Sequence, residues 1–184
     1  MIDRDHLEEW FPDEDIIIVP ASVLPKGLTN ESARELLTQV GLPESFMDVV
    51  ELDTRMMKQI RTVEEVYRSH DEEPPEGTDD LFYLGFAGQP FLCVDGGTGA
   101  VAEVHRDFGI RPIASNLETF FRVLGFASEE VQKYQKKGGI GEEKFAARLR
   151  DRTLKYLRRT DPDALPEAEL GWRELLDDIA ATAS

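Results

Sequence analysis

Residues 81–126 read LFYLGFAGQPFLCVDGGTGAVAEVHRDFGIRPIASNLETFFRVLGF, and this stretch decides the fold. Three short runs, 81–86, 90–95 and 100–105, are rich in apolar, aromatic or β-branched residues, and glycine-containing turns separate them. That pattern predicts three consecutive antiparallel strands. The connector Gly96-Gly97-Thr98-Gly99 offers residues that can take positive φ without steric cost. A fourth extended piece, 110–114, follows Phe108-Gly109, and Pro112 places it at an edge or makes it irregular. Ser115 and Glu118 stand three apart just before an apolar run, the spacing of a capping box. Leu117, Phe120, Phe121 and Leu124 then fall at i, i+3, i+4 and i+7, so a helix here has one apolar face to lay on the sheet. The expected fold class is α+β: a central antiparallel β-meander sheet packed by helices, with N- and C-terminal helical segments.

Outward from this stretch the signals are shorter. Leu7, Trp10 and Phe11 suggest a short helix or docked arm that Pro12 ends, and 16–19 is a β-branched run suited to a strand. A helix is expected from Thr29 or Asn30 to Gly41, with Ala33, Leu36, Leu37 and Val40 on its apolar face. Residues 46–53 read as a strand. Residues 55–68 fit helix and strand equally and are left open. Residues 70–80, HDEEPPEGTDD, read as a long mobile loop without an apolar anchor. Beyond 126 a new short helix is expected to start at Ser128 and end near 136–139. Further helices are expected over about 141–159 and 166–181. At 184 residues the chain is expected to be one domain, with a core over about 14–126 and a helical extension over about 127–184.

Charge narrows the function. The net charge is −16. Residues 1–80 carry 21 acidic and 7 basic side chains, whereas 81–184 carry 16 and 14, so the negative field belongs to the first part. Such a chain repels nucleic acid and anionic membranes and attracts basic partners. The ten basic residues within 133–159 are interrupted by an apolar stripe and read as the solvated face of a packed helix. The N-terminus is acidic and has no apolar core of a leader, and no run reaches the ~18 apolar residues of a membrane span, so the cytoplasm is the expected compartment.

Candidate chemistry is sparse. The glycines after Asp95 are followed by Ala100-Val101-Ala102, a strand, where a phosphate loop requires a lysine and a helix. Asp95 is expected to accept hydrogen bonds from its own turn. The lone Cys93 reads as a small buried hydrophobe. His105 reads as an exposed residue at a strand end, with no nucleophile beside it. The remaining candidates are acidic clusters: Asp13, Glu14 and Asp15; Glu64 and Glu65; Asp71, Glu72 and Glu73; Glu76; Asp79 and Asp80. Each alone reads as solvated surface. Together they can steer a basic partner. Neither cofactor nor metal is implied.

In its order of features, 81–126 resembles the SUKH superfamily. The features are Phe82-Tyr-Leu-Gly-Phe-Ala-Gly88, Phe91-Leu-Cys-Val-Asp95, Thr98-Gly99-Ala100-Val101, and Ser115-Asn116-Leu117 opening an aromatic helix. Upstream, Leu24-Pro25, Leu28-Thr29 and Gly41-Leu42-Pro43 resemble the bacterial immunity branch of that superfamily. The resemblance spans about 24–126. It implies a non-enzymatic protein encoded beside a polymorphic toxin, often a nuclease or nucleic-acid deaminase, which it binds and neutralises. It supplies no catalytic residue. Two other classes stay open: a regulatory adaptor binding a host protein, and a ligand-binding protein or enzyme with a polar pocket near Asp95 and His105.

Overall fold

A computed structural model describes residues 2–136, 141–163 and 166–183. Its centre is a six-stranded antiparallel sheet in the order β3-β4-β5-β6-β7-β8. Four of these strands form the meander: β5 (Leu81–Ala87), β6 (Phe91–Asp95), β7 (Val101–His105) and β8 (Gly109–Ala114). Register pairs such as Phe82↔Val94, Cys93↔Ala102 and Val104↔Ile110 confirm the consecutive antiparallel pairing read from the sequence. β8 is the edge strand, and its register shifts between its pairs with Val101 and Ala102, where Pro112 removes a ladder donor. At the opposite edge, β3 (Ser45–Phe46) and β4 (Val50–Leu52) form a hairpin. The run 46–53 is therefore two short strands around a turn, in which Met47 and Asp48 take positive φ. The β-branched run at 16–19 yields only β1 (Ile16–Ile17), paired with β2 (Leu42–Pro43) in a separate small sheet.

Helices cover both faces. On one side lie α4 (Leu117–Gln135), α5 (Glu142–Thr160) and α6 (Pro166–Thr182). Phe120, Phe121, Leu149, Leu157, Trp172 and Ile179 share one buried cluster with Phe82, Leu84, Leu92, Val94, Val101 and Ile113. That cluster runs from Ile2 to Ala183, so the C-terminal helices complete the core of the sheet. Trp172 shows how: its indole Nε1 donates to the Ile113 carbonyl at 2.8 Å, tying α6 to the edge strand. Asp161, closing α5, accepts the Ser115 amide at 2.8 Å. On the other face α3 (Val63–Arg68) packs Val63 and Tyr67 against Leu81, Cys93 and Val104. Cys93 is fully buried, and burial pushes its thiol pKa up, as suits an inert core residue. α1 (Arg4–Trp10) docks on α4, where a Cβ on Gly125 would fall 2.3 Å from Trp10.

Several local readings need correction. The cap of α4 is Asn116, not Ser115: Asn116 accepts the Thr119 amide at 2.8 Å. Glu118 does not close a capping box. Its carboxylate accepts the Ile2 amide at 3.0 Å and pairs with Arg122 at 2.8 Å, contacts with the N-terminal arm and the next turn that outcompete a return to the cap. The helix expected to begin at Ser128 is instead the second half of α4. Ser128 is buried there and donates to the Trp10 carbonyl; the end expected at 136–139 falls partly outside the described residues. A capping box does exist, at Thr62 and Glu65, in the segment left open. That segment folds as a 3-10 turn (Thr54–Met57) and α3. The helix opened by Asn30 is α2 (Glu31–Glu35), which loosens into a π-helical turn (Leu36–Val40) before Gly41. Finally, the loop before β5 is anchored. Thr78 is buried, and the Asp80 carbonyl accepts the Gly96 amide at 2.9 Å, tying the loop to the β6–β7 turn.

Candidate functional site

The turn Asp95–Gly99, with its glycines and carboxylate, is closed on itself. Asp95 Oδ1 accepts from the amides of Gly97 (3.0 Å) and Thr98 (2.7 Å) and from the Thr98 hydroxyl (2.8 Å). Burial alone would raise the Asp95 pKa; the donors of Thr98 and Gly97 outweigh it and hold the carboxyl below its usual value. Gly99 alone in this turn takes positive φ, at 78°. Gly96 is needed for space, since a Cβ there would lie 2.4 Å from the Gly27 carbonyl oxygen. The turn is a structural joint to the 27–30 segment.

The predicted acidic residues divide by edge. Asp13, Glu14 and Asp15 lie beside β3, where Glu14 accepts the Ser45 hydroxyl at 3.0 Å. The others gather on the α3 side. Some are already engaged: Glu64 pairs with Arg68 at 2.6 Å, and Glu65 returns to the Thr62 amide at 2.9 Å. Glu72 reaches across to Arg106 in the β7–β8 turn. Asp71, Glu73, Glu76, Asp79 and Asp80 are exposed and, among the described residues, have no cation beside them. The structure thus ties Glu72 to the β7–β8 turn, and leaves 13–15 at the β3 end.

Sequence reading missed a cleft of about 720 Å³ where the β5–β6 and β7–β8 turns meet α6. Its walls include Gln89, Pro90, His105, Phe108 and Ile110 on one side and Leu170, Glu174 and Asp178 on the other. The last three recur at i, i+4 and i+8, one stripe of α6. At the base Glu103, only 2% exposed, is held by Arg111 at 2.6 Å, which also binds Glu174 at 2.6 Å. Burying Glu103 is tolerable because two N–H groups of this guanidinium donate to its Oε2. The Arg111 bond lowers the Glu174 pKa. Asp178 has the opposite environment: burial, then Asp177 and Glu174, push its carboxyl up. His105 is half-buried in the cleft wall with Nε2 3.4 Å from Glu103, where an exposed strand end was expected. It stands at the far end of β7 from the Asp95 turn, so the two share no pocket. Phe108, at the turn tip, is 87% exposed, and Leu170 across the cleft is 51% exposed.

Among the described residues no group of three His, Cys, Asp or Glu side chains is arranged to hold a metal ion. No described helix is long and apolar enough to cross a membrane. Against known families, the chain matches the SUKH-4 immunity protein family over residues 2–178, a span that includes α4, α5 and most of α6. No curated protein and no solved structure matches it. The chain belongs to the SUKH-4 immunity protein family, and that membership supports an immunity role.

Proposed function

We propose that this member of the SUKH-4 immunity family binds and neutralises a cognate toxin domain with a basic surface, a nuclease or nucleic-acid deaminase. Such a toxin must present cations to phosphates, and an acidic protein competes for that same surface. The observation that carries the reading is the 71–80 loop. It holds six carboxylates, and among the described residues only Glu72 has a cation partner. Unpaired carboxylates on an anchored loop attract a basic partner at little conformational cost. Glu64 and Glu65 on α3 extend this field, and Asp13, Glu14 and Asp15 add to the net charge from the far edge. Inhibition requires binding alone, so no residue is assigned a catalytic role and no cofactor enters.

The test uses the toxic C-terminal domain encoded by the adjacent gene. Purified protein is expected to abolish its action on nucleic acid at equimolar concentration. Changing Asp71, Glu72 and Glu73 together to Lys is expected to slow association about tenfold at low salt and leave the fold intact. Unchanged association kinetics at low salt would remove this loop as the steering element.

A further inference from the structure

The cleft beside Phe108 has two properties the fold does not require. First, a phenyl ring stands in water at the tip of a turn, facing Leu170 across an open cleft. A single exposed apolar side chain is ordinary. Two of them rimming one cleft form an apolar frame. Second, the cleft carries three carboxylates, Glu103, Glu174 and Asp178, against one guanidinium, Arg111. Arg111 is consumed by Glu103 and Glu174, and Asp178 has no cation among the described residues. Burial, and after it the neighbouring Asp177 and Glu174, disfavour the ionised Asp178, so an added positive charge beside it is stabilising.

A long basic side chain meets both conditions, because its methylene stem packs on apolar walls and its head carries the charge. We infer that this cleft receives a lysine or arginine side chain from a protruding segment of the partner, with Phe108 as the apolar anchor and Asp178 and Glu174 as the acceptors of the cation. This rests on the reading that the partner is a basic toxin domain. The location supports it independently. The acidic loop lies on the other flank of the same turn: Glu72 holds Arg106, and a Cβ on Gly77 would meet Ile110 at 3.4 Å. A basic partner drawn to the loop arrives beside the cleft. Exposed aromatic anchors next to charged groups dominate interface energetics when partners bury them.

Two probes separate this inference from the function it rests on. Hexa-arginine peptide is titrated into ¹⁵N-labelled protein at low salt. Amide shifts are expected at 105–111 and 170–178, and Asp178→Lys is expected to remove them; an absence of shifts there overturns the inference. The adjacent toxin domain is then titrated calorimetrically. Phe108→Ala and Asp178→Lys are each expected to weaken binding at least about tenfold with unchanged thermal unfolding. Both variants binding within twofold of wild type would overturn the cleft and leave the immunity reading standing. A wild type that ignores the toxin while the peptide still maps to the cleft would reject the toxin reading and retain the cleft. Self-association of the wild type that Phe108→Ala abolishes would assign the cleft to a second copy of the chain and overturn the inference.

Discussion

The two ends of the β-meander differ in one respect that separates folding from recognition. At the Asp95 end the carboxylate and amides of the turn are answered within the chain. Asp95 is saturated by its own turn, the Gly96 carbonyl accepts the amides of Thr29 (2.7 Å) and Asn30 (2.9 Å), and Asn30 Nδ2 donates to the Thr98 carbonyl at 2.8 Å. At the Phe108 end the balance is open: carboxylates outnumber cations, and an aromatic ring meets water. Both ends look alike in sequence, each with an aspartate and a glycine within a short stretch joining two strands. The difference lies in whether the partners sit in the same chain. A closed turn holds elements together, and an open one is available to another molecule.

Substitutions at each end sharpen this contrast. The largest effect is expected for Gly96→Val. Its Cβ would stand 2.4 Å from the Gly27 carbonyl and 2.5 Å from Phe82 Cε2, backbone and core that cannot yield cheaply. Urea unfolding should show a loss of about 3 kcal/mol. Phe108→Ala should do the reverse, leaving stability within about 0.5 kcal/mol while toxin affinity falls at least about tenfold. If Phe108→Ala unfolds the protein, the Phe108 end is structural and the contrast fails.

Smaller effects carry opposite signs. Asp95→Ala should cost about 1 kcal/mol at neutral pH without altering partner affinity. The folded Asp95 pKa lies below its unfolded value, so its contribution is complete above the ordinary aspartate range and is lost as pH falls through the lower folded value. The variant's acid unfolding limb should therefore be shallower. Asp178 is raised instead, so its ionised form opposes folding, and the penalty is present above its folded value. Asp178→Asn should stabilise the protein by about 0.3 kcal/mol at neutral pH after solvent screening, and weaken toxin binding a few-fold. Loss of stability in Asp178→Asn would mean that the carboxylate has a structural partner.

The meander was legible because its strands are adjacent in sequence and each turn carries its own glycine. The face of α4 was legible because Leu117, Phe120, Phe121 and Leu124 sit on one helical stripe. What sequence could not supply were the answers given from far away. Ser128 looks like a helix start, yet its partner is the Trp10 carbonyl 118 residues earlier. Glu118 has the spacing of a capping box, yet it serves Ile2 and Arg122. Between Ser115 and Asn116 the choice of cap depends on how the chain leaves β8, since Asn116 is the residue that turns to face the Thr119 amide. The cleft was hidden for the same reason. The stripe Leu170, Glu174, Asp178 could be read as one helix face, but its facing wall, His105 to Arg111, lies far upstream in the chain. The acidic loop was visible as composition, whereas its attachment to Arg106 was not.

The most direct test of the central claim is growth of a sensitive host that expresses the toxic domain of the adjacent gene, with and without this protein. The account predicts that growth is restored only when the protein is present, and that Phe108→Ala restores it poorly at equal abundance. Failure of the wild type to restore growth, with the toxin active and the protein soluble, would contradict the claim that this chain neutralises that toxin.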